Sequence, residues 1–493
     1  MNSYQKLKNT FKRISHLQYL HHIATWDEAV MMPPGAGHER SKAIATLTRQ
    51  TQQLLVSPKM KRWIQEATII EPVSEWDKVN FAYMEKLIKR ADCIPLPLVE
   101  KATFASLQCE QMWRTCRSEN NWQAFLPCFE KSFALVKEIA ERRSAVFNLS
   151  PYDALLDDYA PGFNEKTLDP IFTDLKTQLT PLLATILEKQ TKEKMIKPQG
   201  EFSTDHQYAL GLKVMSALGF DFQHGRLDVS HHPFCSGGPR DVRITTRYAK
   251  TEFVTSLMAV CHETGHGLFE QGLPSKWLSQ PVGHIHSMAV HESQSLLYEM
   301  EVCHSQAFSD YLIHLIHSSF PACCDMTARD LHTLITRVSP SFIRVNADEV
   351  SYPLHIILRY ELEKALFKGE IQIKDLPFYW DKYMQDYLNL STLGKDQDGV
   401  MQDVHWPSGA FGYFPAYTIG RLIAAQLFAT FQKSAPTFFA DVKQGNFTQL
   451  QHWLKKNVYD HASLLPTQTW LQKVTGEPLS TNFFIEGLKK RYN

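Results

Sequence analysis

The chain has 493 residues, of which 44% are hydrophobic and 12% aromatic, enough to fill a large core. Its 52 acidic and 52 basic side chains cancel, which excludes a global field that would attract nucleic acid or an anionic membrane. No stretch is long and apolar enough to span a bilayer, and residues 1–20 lack the apolar core of a signal peptide. Nine cysteines without regular spacing favour reduced thiols. We therefore expect a cytoplasmic protein with neither nucleic acid nor membrane as a partner.

Apolar residues with helical spacing dominate the chain and are broken by short turns. Residues 122–147 and 418–433 are clear examples. Because no repeat, low-complexity segment or Gly/Ser linker separates autonomous units, we predict one catalytic domain over residues 1–493. Within it we expect an N-terminal helical lobe over roughly 1–200, the catalytic motifs over roughly 230–420, and a helical cap at the C-terminal end.

One region departs from the helical pattern. Residues 226–248, RLDVSHHPFCSGGPRDVRITTRY, are typical of a strand, a turn and a second strand. Gly237, Gly238 and Pro239 would supply the turn. The sequence thus predicts a mainly α-helical fold with a small β-sheet near residues 226–248.

The stretch AVCHETGHGLFEQG, at 259–272, contains two histidines that a helix would place one turn apart. Positions four apart lie about 40° from each other around the axis, so His262 and His266 could bind one metal ion. Glu263 lies about 100° further round, which suits a base that holds a metal-bound water. We predict Thr251 as the N-cap of this helix and Gly272 near its end. Alternatively the histidines make ordinary contacts, since roughly one chain in twenty of this composition would contain the pattern by chance.

A catalytic zinc usually has three protein ligands and an open fourth position, so a third ligand must come from elsewhere. The downstream segment HIHSMAVHESQSLLYEME offers six candidates: His284, His286, His291, Glu292, Glu299 and Glu301. A helix from about 288 to 304 would place Glu292 and Glu299 on one face, with Glu292 as ligand and Glu299 behind it or in an ion pair. Spacing alone leaves His291 and Glu292 as alternatives.

Five motifs, in this order along the chain, resemble those of the Taq-type metallocarboxypeptidases: DVRITTRY at 241–248, HETGH at 262–266, HESQ at 291–294, IRVNADE at 343–349 and GVMQDVHW at 399–406. Further similar segments near both ends extend the resemblance over essentially the whole chain. It implies that His262, His266 and Glu292 bind zinc, for which cobalt or manganese could substitute, and that Glu263 is the general base. It also implies two helical lobes flanking a deep active-site groove, and a homodimer. Pro353 departs from the expected pattern because it interrupts a helical one.

Peptide hydrolysis at such a site requires an activated water and a stabilised oxyanion. Zinc lowers the pKa of its bound water to about 7, and Glu263 can take that water's proton during attack on the scissile carbonyl and pass it to the leaving amine. The oxyanion needs a hydrogen-bond donor besides the metal. The available candidates are Tyr413, Tyr417, His232 and His405.

An exopeptidase must also recognise a terminal carboxylate, which arginine does best because its planar fork donates two charge-assisted hydrogen bonds. Arg344 is the first candidate, and the resemblance implies that Arg344 and Tyr417 contact the substrate's C-terminus. The alternative is an ion pair of Arg344 with Asp348, four residues on.

Two other motifs allow two interpretations each. In DVRITTRY, alternation places Asp241 and Arg243 on one strand face, where Arg243 could position the peptide backbone or merely pair with Asp241. In GVMQDVHW, Asp403 could orient a ligating histidine or the substrate, or the motif could be a packed loop anchored by Trp406.

From these observations we predict a zinc-dependent carboxypeptidase of broad specificity that releases single residues from peptides with a free C-terminus. The same metal chemistry would serve an endopeptidase or a dipeptidyl carboxypeptidase. A non-catalytic helical protein that keeps zinc for structure is the alternative from another class. A structural zinc, however, normally has four closed protein ligands and no poised glutamate.

Overall fold

The structure is a computed structural model that describes residues 1–67 and 74–492. In this part of the chain α-helices dominate and one small sheet is present, which confirms the predicted fold class. The α-helices are α1 (Ser3–Val30), α2 (Gly37–Leu55), α3 (Pro58–Ala67), α4 (Glu75–Asp92), α5 (Leu96–Ser118), α6 (Trp122–Phe147), α7 (Pro151–Tyr159), α8 (Glu165–Gln190), α9 (Thr204–Leu218), α10 (Val254–Gly272), α11 (Met288–Leu296), α12 (Gln306–Ser319), α13 (Ala328–Ile335), α14 (Tyr352–Lys368), α15 (Leu376–Leu388), α16 (Pro415–Ser434), α17 (Phe438–Val442), α18 (Thr448–Asn457), α19 (Thr467–Thr475) and α20 (Asn482–Tyr492). The strands are β1 (Gly225–Val229), β2 (Phe234–Gly238) and β3 (Asp241–Thr246). Among these described helices, none has both the length and the apolar surface needed to cross a bilayer.

Two hydrophobic cores organise the helices. The smaller core lies between α1, α3 and α4 and includes Leu7, Met60 and Met84, which are fully buried. The larger core takes in α5 to α20, with α16 buried around nearly its whole circumference. A helix that is apolar on all sides belongs in a protein interior, so α16 forms the centre of this part. Of the region predicted as an N-terminal lobe, α1, α3 and α4 thus have a core of their own, whereas α5 to α8 share the larger one.

The sheet has three strands, one more than the predicted hairpin. Strand β3 lies in the middle, parallel to β1 and antiparallel to β2. Gly237 and Gly238 end β2, and the turn itself falls at Pro239 and Arg240. The glycines and the proline predict the hairpin of β2 and β3. They do not predict that β1 pairs with β3 in parallel.

Helix α11 lies between α10 and α16 at a separation that requires glycine on both neighbours. A Cβ on Gly265 would lie 2.6 Å from the Cα of Ser295, and one on Gly420 would lie 2.9 Å from the carbonyl oxygen of Ala289. The helix predicted over 288–304 has the right extent, but it changes at Leu297–Cys303 into a π-helix. Such wider turns occur frequently at functional sites.

A cavity of about 720 Å³ lies between the N-terminal helix and the sheet. Its walls come from α1, from the β2–β3 turn and from the segment between α10 and α11, and they include Glu270. Polar contacts join its rims: Tyr19 donates to Asp241 at 2.7 Å, and Nδ1 of His22 lies 2.9 Å from the carbonyl oxygen of Gly237. The lining of this cavity does not include His262, His266, Glu292 or Arg344.

Candidate active site

Helix α10 carries the HETGH residues and begins later than predicted. Thr251, the predicted N-cap, lies in the preceding turn, and the helix starts at Val254. Phe253 occupies the N-cap position without a capping side chain, and the carboxylate of Glu252, just before it, accepts the backbone N–H of Thr255 at 3.0 Å. A carboxylate is favoured there because it satisfies an unpaired N–H and opposes the helix dipole. The predicted end is confirmed, since α10 ends at Gly272.

Three potential metal ligands converge between α10 and α11. His262 and His266 project from one face of α10 with their ring centroids 5.0 Å apart. Oε1 of Glu292 lies 4.0 Å from Nε2 of His262, and Oε2 lies 3.6 Å from Nε2 of His266. Each residue offers one ligand atom, and all three atoms lie within 4.8 Å of one another. Among residues 1–67 and 74–492, no other group of three His, Cys, Asp or Glu side chains meets this spacing.

The other ligand candidates have different partners. Nε2 of His291 lies 3.1 Å from Oε1 of Glu270, and its ring stacks on that of His266 with the centroids 4.3 Å apart. Glu301 pairs with an arginine of α16. The geometry therefore favours Glu292 over His291 as the third candidate ligand. The ring of His291 instead packs against that of His266.

Glu299 supports the group from the π-helix. Its Oε2 lies 2.7 Å from Nδ1 of His262. Since Nε2 of that ring faces Glu292, we assign the proton to Nδ1, which donates to Glu299. Carboxylates in this position fix the tautomer and orientation of ligating histidines. The structure thus gives Glu299 the supporting position expected from its spacing.

Burial and a surplus of carboxylates perturb the ionisation of this group. Burial raises the pKa of Glu263 to about 7, although the charge of His262 opposes the rise. Burial lowers the pKa of His266 to about 4. Burial would lower the pKa of His262 as well, but its hydrogen bond to Glu299 and the charges of the nearby carboxylates outweigh burial and raise that pKa to about 10. The carboxylates therefore favour a positive charge at His262, whereas burial keeps His266 neutral.

The residues present fit a divalent transition metal. Two imidazole nitrogens and one carboxylate oxygen are the donors of many catalytic zinc sites, which keep a fourth position open. Glu263 is 7% exposed, and within the described residues its Oε2 has no hydrogen-bond partner. A buried oxygen without a partner is costly unless a ligand or water satisfies it.

Arg344 lies in a short 3₁₀ turn and is 5% exposed. Its Nε and Nη2 donate to Oδ1 of Asp403 at 3.1 and 2.7 Å, and its Nη1 donates to the hydroxyl of Tyr352 at 2.7 Å. The predicted alternative, a pair with Asp348, is wrong. Asp348 accepts backbone N–H groups of its own loop, because the chain from 344 to 348 is not an α-helix that would bring the two side chains together.

Asp403 joins two buried arginines. Its Oδ2 accepts from Nε of Arg359 at 2.8 Å, and Arg359 is fully buried. Burial would raise the pKa of Asp403, but the guanidinium groups of Arg359 and Arg344 hold it well below its usual range. Asp403 therefore orients the candidate carboxylate receptor and not a ligating histidine. Trp406 is buried as well, so the motif is also a packed loop.

Three aromatic side chains adjoin Arg344. Nε2 of His405 lies 3.4 Å from the hydroxyl of Tyr417, and the ring of Tyr413 lies 5.1 Å from that of His405 and 5.4 Å from that of Tyr417. The Arg344 guanidinium is 5.2 Å from the centre of the Tyr417 ring. Burial raises the pKa of both tyrosines, and the charge of Glu292 adds to the effect, so both phenols are within electrostatic reach of the candidate metal ligands. Three of the four predicted oxyanion donors thus lie together.

Arg243 and His232 lie in or beside the sheet, apart from this aromatic group. Arg243 pairs with Asp241 at 2.5 Å and lies over the ring of Trp26 at 4.3 Å, which is the ion-pair alternative predicted for it. His232 is exposed, and its backbone carbonyl accepts from the hydroxyl of Ser230. In the described structure, neither side chain contacts Arg344 or the candidate metal ligands.

Sequence reasoning missed Arg359 and Tyr352. Arg359 interrupts the apolar run LHIILRY of α14, and a charge inside such a run signals a buried ion pair. Tyr352 stands at the start of α14, next to Pro353. The prediction that Pro353 interrupts a helix is wrong, because it lies in the first turn, where its missing N–H leaves no hydrogen bond unmade.

Comparison with known proteins gives the family. The sequence matches the family described as Carboxypeptidase Taq (M32) metallopeptidase over residues 6–492. Thermostable carboxypeptidase 1 of Thermus thermophilus is 36% identical over 506 residues, covering 99% of this chain and 98% of that protein. Carboxypeptidase 1 of Bacillus subtilis is 32% identical, covering 100% and 99%. Among solved structures, metallocarboxypeptidase 1 of Trypanosoma cruzi has a TM-score of 0.98 at 36% identity, covering 100% of this chain and 99% of the other.

The fold and these relatives define a metal-dependent peptide hydrolase. The chain belongs to the carboxypeptidase Taq (M32) family and is a metallocarboxypeptidase, which acts on peptides and uses a divalent metal. The family resemblance drawn from the five motifs is thereby confirmed.

Proposed function

We propose that this enzyme is a zinc carboxypeptidase that removes single residues, with broad specificity, from the free C-terminus of peptides. The observation that carries the proposal is the convergence of His262, His266 and Glu292 beside the buried side chain of Glu263. The second support is Arg344, a buried arginine that has unused N–H donors and lies beside the ring of Tyr417.

Zinc suits the proposed ligands His262, His266 and Glu292 because it accepts nitrogen and oxygen donors in a tetrahedral arrangement. Cobalt or manganese would accept the same donors. When bound, such an ion polarises the scissile carbonyl and acidifies water. The chain's own task is to hold the three donors. Helix α10 fixes the two imidazoles one turn apart, and Glu299 keeps Nε2 of His262 turned toward Glu292.

Glu263 is the proposed general base. It follows His262 on α10, so its side chain leaves the helix about 100° away from that ligand. Because burial raises its pKa to about 7, its carboxylate is basic enough at neutral pH to take a proton from the attacking water. The same carboxyl then returns the proton to the leaving amine.

Arg344 is the proposed receptor for the terminal carboxylate. In the described structure three of the five guanidinium N–H groups donate to Asp403 and Tyr352, which leaves two for a ligand. The surrounding rings, including that of Tyr417, exclude water and so strengthen an ion pair formed there. Tyr417, beside His405, completes the proposed contact with the substrate's C-terminal end.

Tyr413, Tyr417 and His405 are the proposed donors to the oxyanion. Burial raises the pKa of both phenols, so they stay protonated and able to donate. Burial lowers the pKa of His405 to about 4, so its ring is neutral near pH 7 and donates from one nitrogen. We give neither His232 nor Arg243 a substrate contact, because His232 is exposed and Arg243 is held in an ion pair with Asp241.

The test uses a peptide with a blocked N-terminus, incubated with the zinc-loaded protein and followed by mass spectrometry. We expect successive loss of single C-terminal residues, abolished by a chelator and restored by zinc. The amidated peptide should be cleaved far more slowly. Release of dipeptides, internal cleavage, or no cleavage by the zinc-loaded protein would each contradict the proposal and favour one of the alternatives.

We further propose a homodimer in the cytoplasm. The family resemblance supports the dimer, and the nine cysteines, all of them free, suit a reducing compartment. Light scattering after gel filtration should give twice the chain mass of 56.7 kDa. A mass equal to one chain would contradict the dimer.

A further inference from the structure

A buried carboxylate on α14 is bonded to both ends of the loop 406–412. Glu363 is fully buried and accepts three hydrogen bonds. Nε1 of Trp406 donates to its Oε1 at 2.6 Å, and the backbone N–H of Gly412 donates to its Oε2 at 3.0 Å. The hydroxyl of Tyr152 donates to the same Oε2 at 2.8 Å. One side chain therefore closes the loop.

The two loop residues held by Glu363 adjoin two proposed substrate contacts. His405 precedes Trp406, and Tyr413 follows Gly412. Across the neck of the loop, the ring centroids of His405 and Tyr413 lie 5.1 Å apart. Because consecutive residues share a planar peptide unit, a shift at either end of the loop moves one of these rings directly.

The loop has little freedom to adapt by itself. The ring of Trp406 stacks on that of Phe411 with the centroids 5.9 Å apart. Gly412 has a φ of +78°, and a Cβ there would lie 2.7 Å from the backbone nitrogen of Leu156. Both the positive φ and the close approach require glycine. With both ends packed in this way, the carboxylate of Glu363 sets the distance between them.

The chemistry of the three partners suits an ionised Glu363. An indole N–H and a backbone N–H can only donate, and of the three partners only the Tyr152 hydroxyl could also accept, so the ionised carboxylate matches all three donors as they stand. Burial raises the pKa of Glu363 to about 7, and the bonds from Trp406, Tyr152 and Gly412 oppose that rise. The three hydrogen bonds donated to this carboxylate hold the loop.

We infer that Glu363 is a positioning residue, which keeps His405 and Tyr413 at their working spacing by holding the two ends of the loop 406–412. The inference rests on the proposed function, because it takes these two side chains as substrate contacts. Glu363 itself touches no substrate in this arrangement.

The test variant is Glu363→Gln, which keeps the size and one acceptor oxygen but places an NH₂ group against the N–H of either Gly412 or Trp406. Its matched control is Glu361→Gln on the same helix, whose carboxylate accepts from Lys176 and Tyr387 outside the site. Loss of alignment at the rings should lower kcat/KM on a blocked free-acid peptide about 10- to 100-fold. The metal content should stay unchanged, a crystal structure should show a displaced loop, and the control should match the wild type.

A double-mutant cycle with Tyr413→Phe separates positioning from a general loss of stability. If Glu363 acts through Tyr413, the two losses in kcat/KM do not multiply, and the double variant is hardly worse than the poorer single one. Losses that multiply, or an unmoved loop in the Glu363→Gln structure, would overturn the inference.

Two further outcomes have a defined meaning. If Tyr413→Phe alone leaves kcat/KM unchanged, the proposed role of Tyr413 fails, and the position of the loop in the Glu363→Gln structure decides the inference by itself. If Glu363→Gln yields no folded protein, Trp406→Phe takes its place with the same expectations, since it removes the indole N–H but keeps an aromatic ring.

Discussion

Replacing Arg344 by alanine separates recognition of the substrate's C-terminus from chemistry at the metal. Beyond the bonds to Asp403 and Tyr352, the guanidinium keeps two N–H groups for a carboxylate. Two hydrogen bonds to a charged group, at about 1.5–3 kcal/mol each, amount to about 3–6 kcal/mol. Because about 1.4 kcal/mol corresponds to a factor of ten, kcat/KM on a free-acid peptide should fall about 10²- to 10⁴-fold.

The assay compares a blocked dipeptide with its C-terminal amide. Arg344→Ala should lower kcat/KM for the free acid and leave the slow cleavage of the amide nearly unchanged. Arg344→Lys keeps the charge but not the planar fork, so its kcat/KM for the free acid should lie between those of the wild type and Arg344→Ala. Tyr352→Phe is the matched control for the disturbed network, since it removes a partner of Arg344 but keeps the guanidinium. An equal loss on acid and amide would refute the reasoning, provided that the variant is folded and binds its metal.

Three further predictions concern the metal group and the stability of the chain. Glu299→Gln should weaken metal binding about 10- to 100-fold, measured by competition with a chelator, because it removes the charge that orients His262; unchanged affinity would contradict this. Zinc at 100 times its Kd should stabilise the fold by about 2.7 kcal/mol, so equal melting temperatures with and without zinc would argue against the site. Arg491→Ala should cost about 3–5 kcal/mol in urea unfolding, since it leaves the buried Glu349 and Glu301 short of a partner. A loss below about 1 kcal/mol in the free energy of unfolding would show that these ion pairs of Arg491 contribute no more than solvent-exposed ones.

The part of the site that lies on one helix could be predicted from the sequence. His262, Glu263 and His266 owe their relation to the geometry of α10 alone, so spacing was sufficient. Helical spacing does not choose between His291 and Glu292, because the two residues are adjacent in the sequence. It depends on how α11 is rotated between α10 and α16, and the close contacts at the glycines of those helices set that rotation.

The wrong and incomplete predictions concern contacts that the spacing of residues does not specify. Helical spacing offers Asp348 as an alternative partner of Arg344, whereas its partner in the structure, Asp403, comes from a loop that folds back on it. The cap of α10 was assigned to Thr251, but Glu252 is closer to the first turn and carries a charge that favours it. Parallel pairing of β1 with β3 is likewise a non-local contact for which the residues give no signal.

The two halves of the site carry opposite surplus charge, and this polarity can orient a peptide. The carboxylates around His262 raise its pKa to about 10, so that half is adapted to a cation. In the other half, Arg344 and Arg359 both pair with Asp403. Two guanidinium groups and one carboxylate together carry one net positive charge. Under the proposed function, a terminal carboxylate supplies the negative charge that balances this pair. Amidation removes that charge, so under the proposed function the preference for free acids depends on this pair and should persist with a different metal.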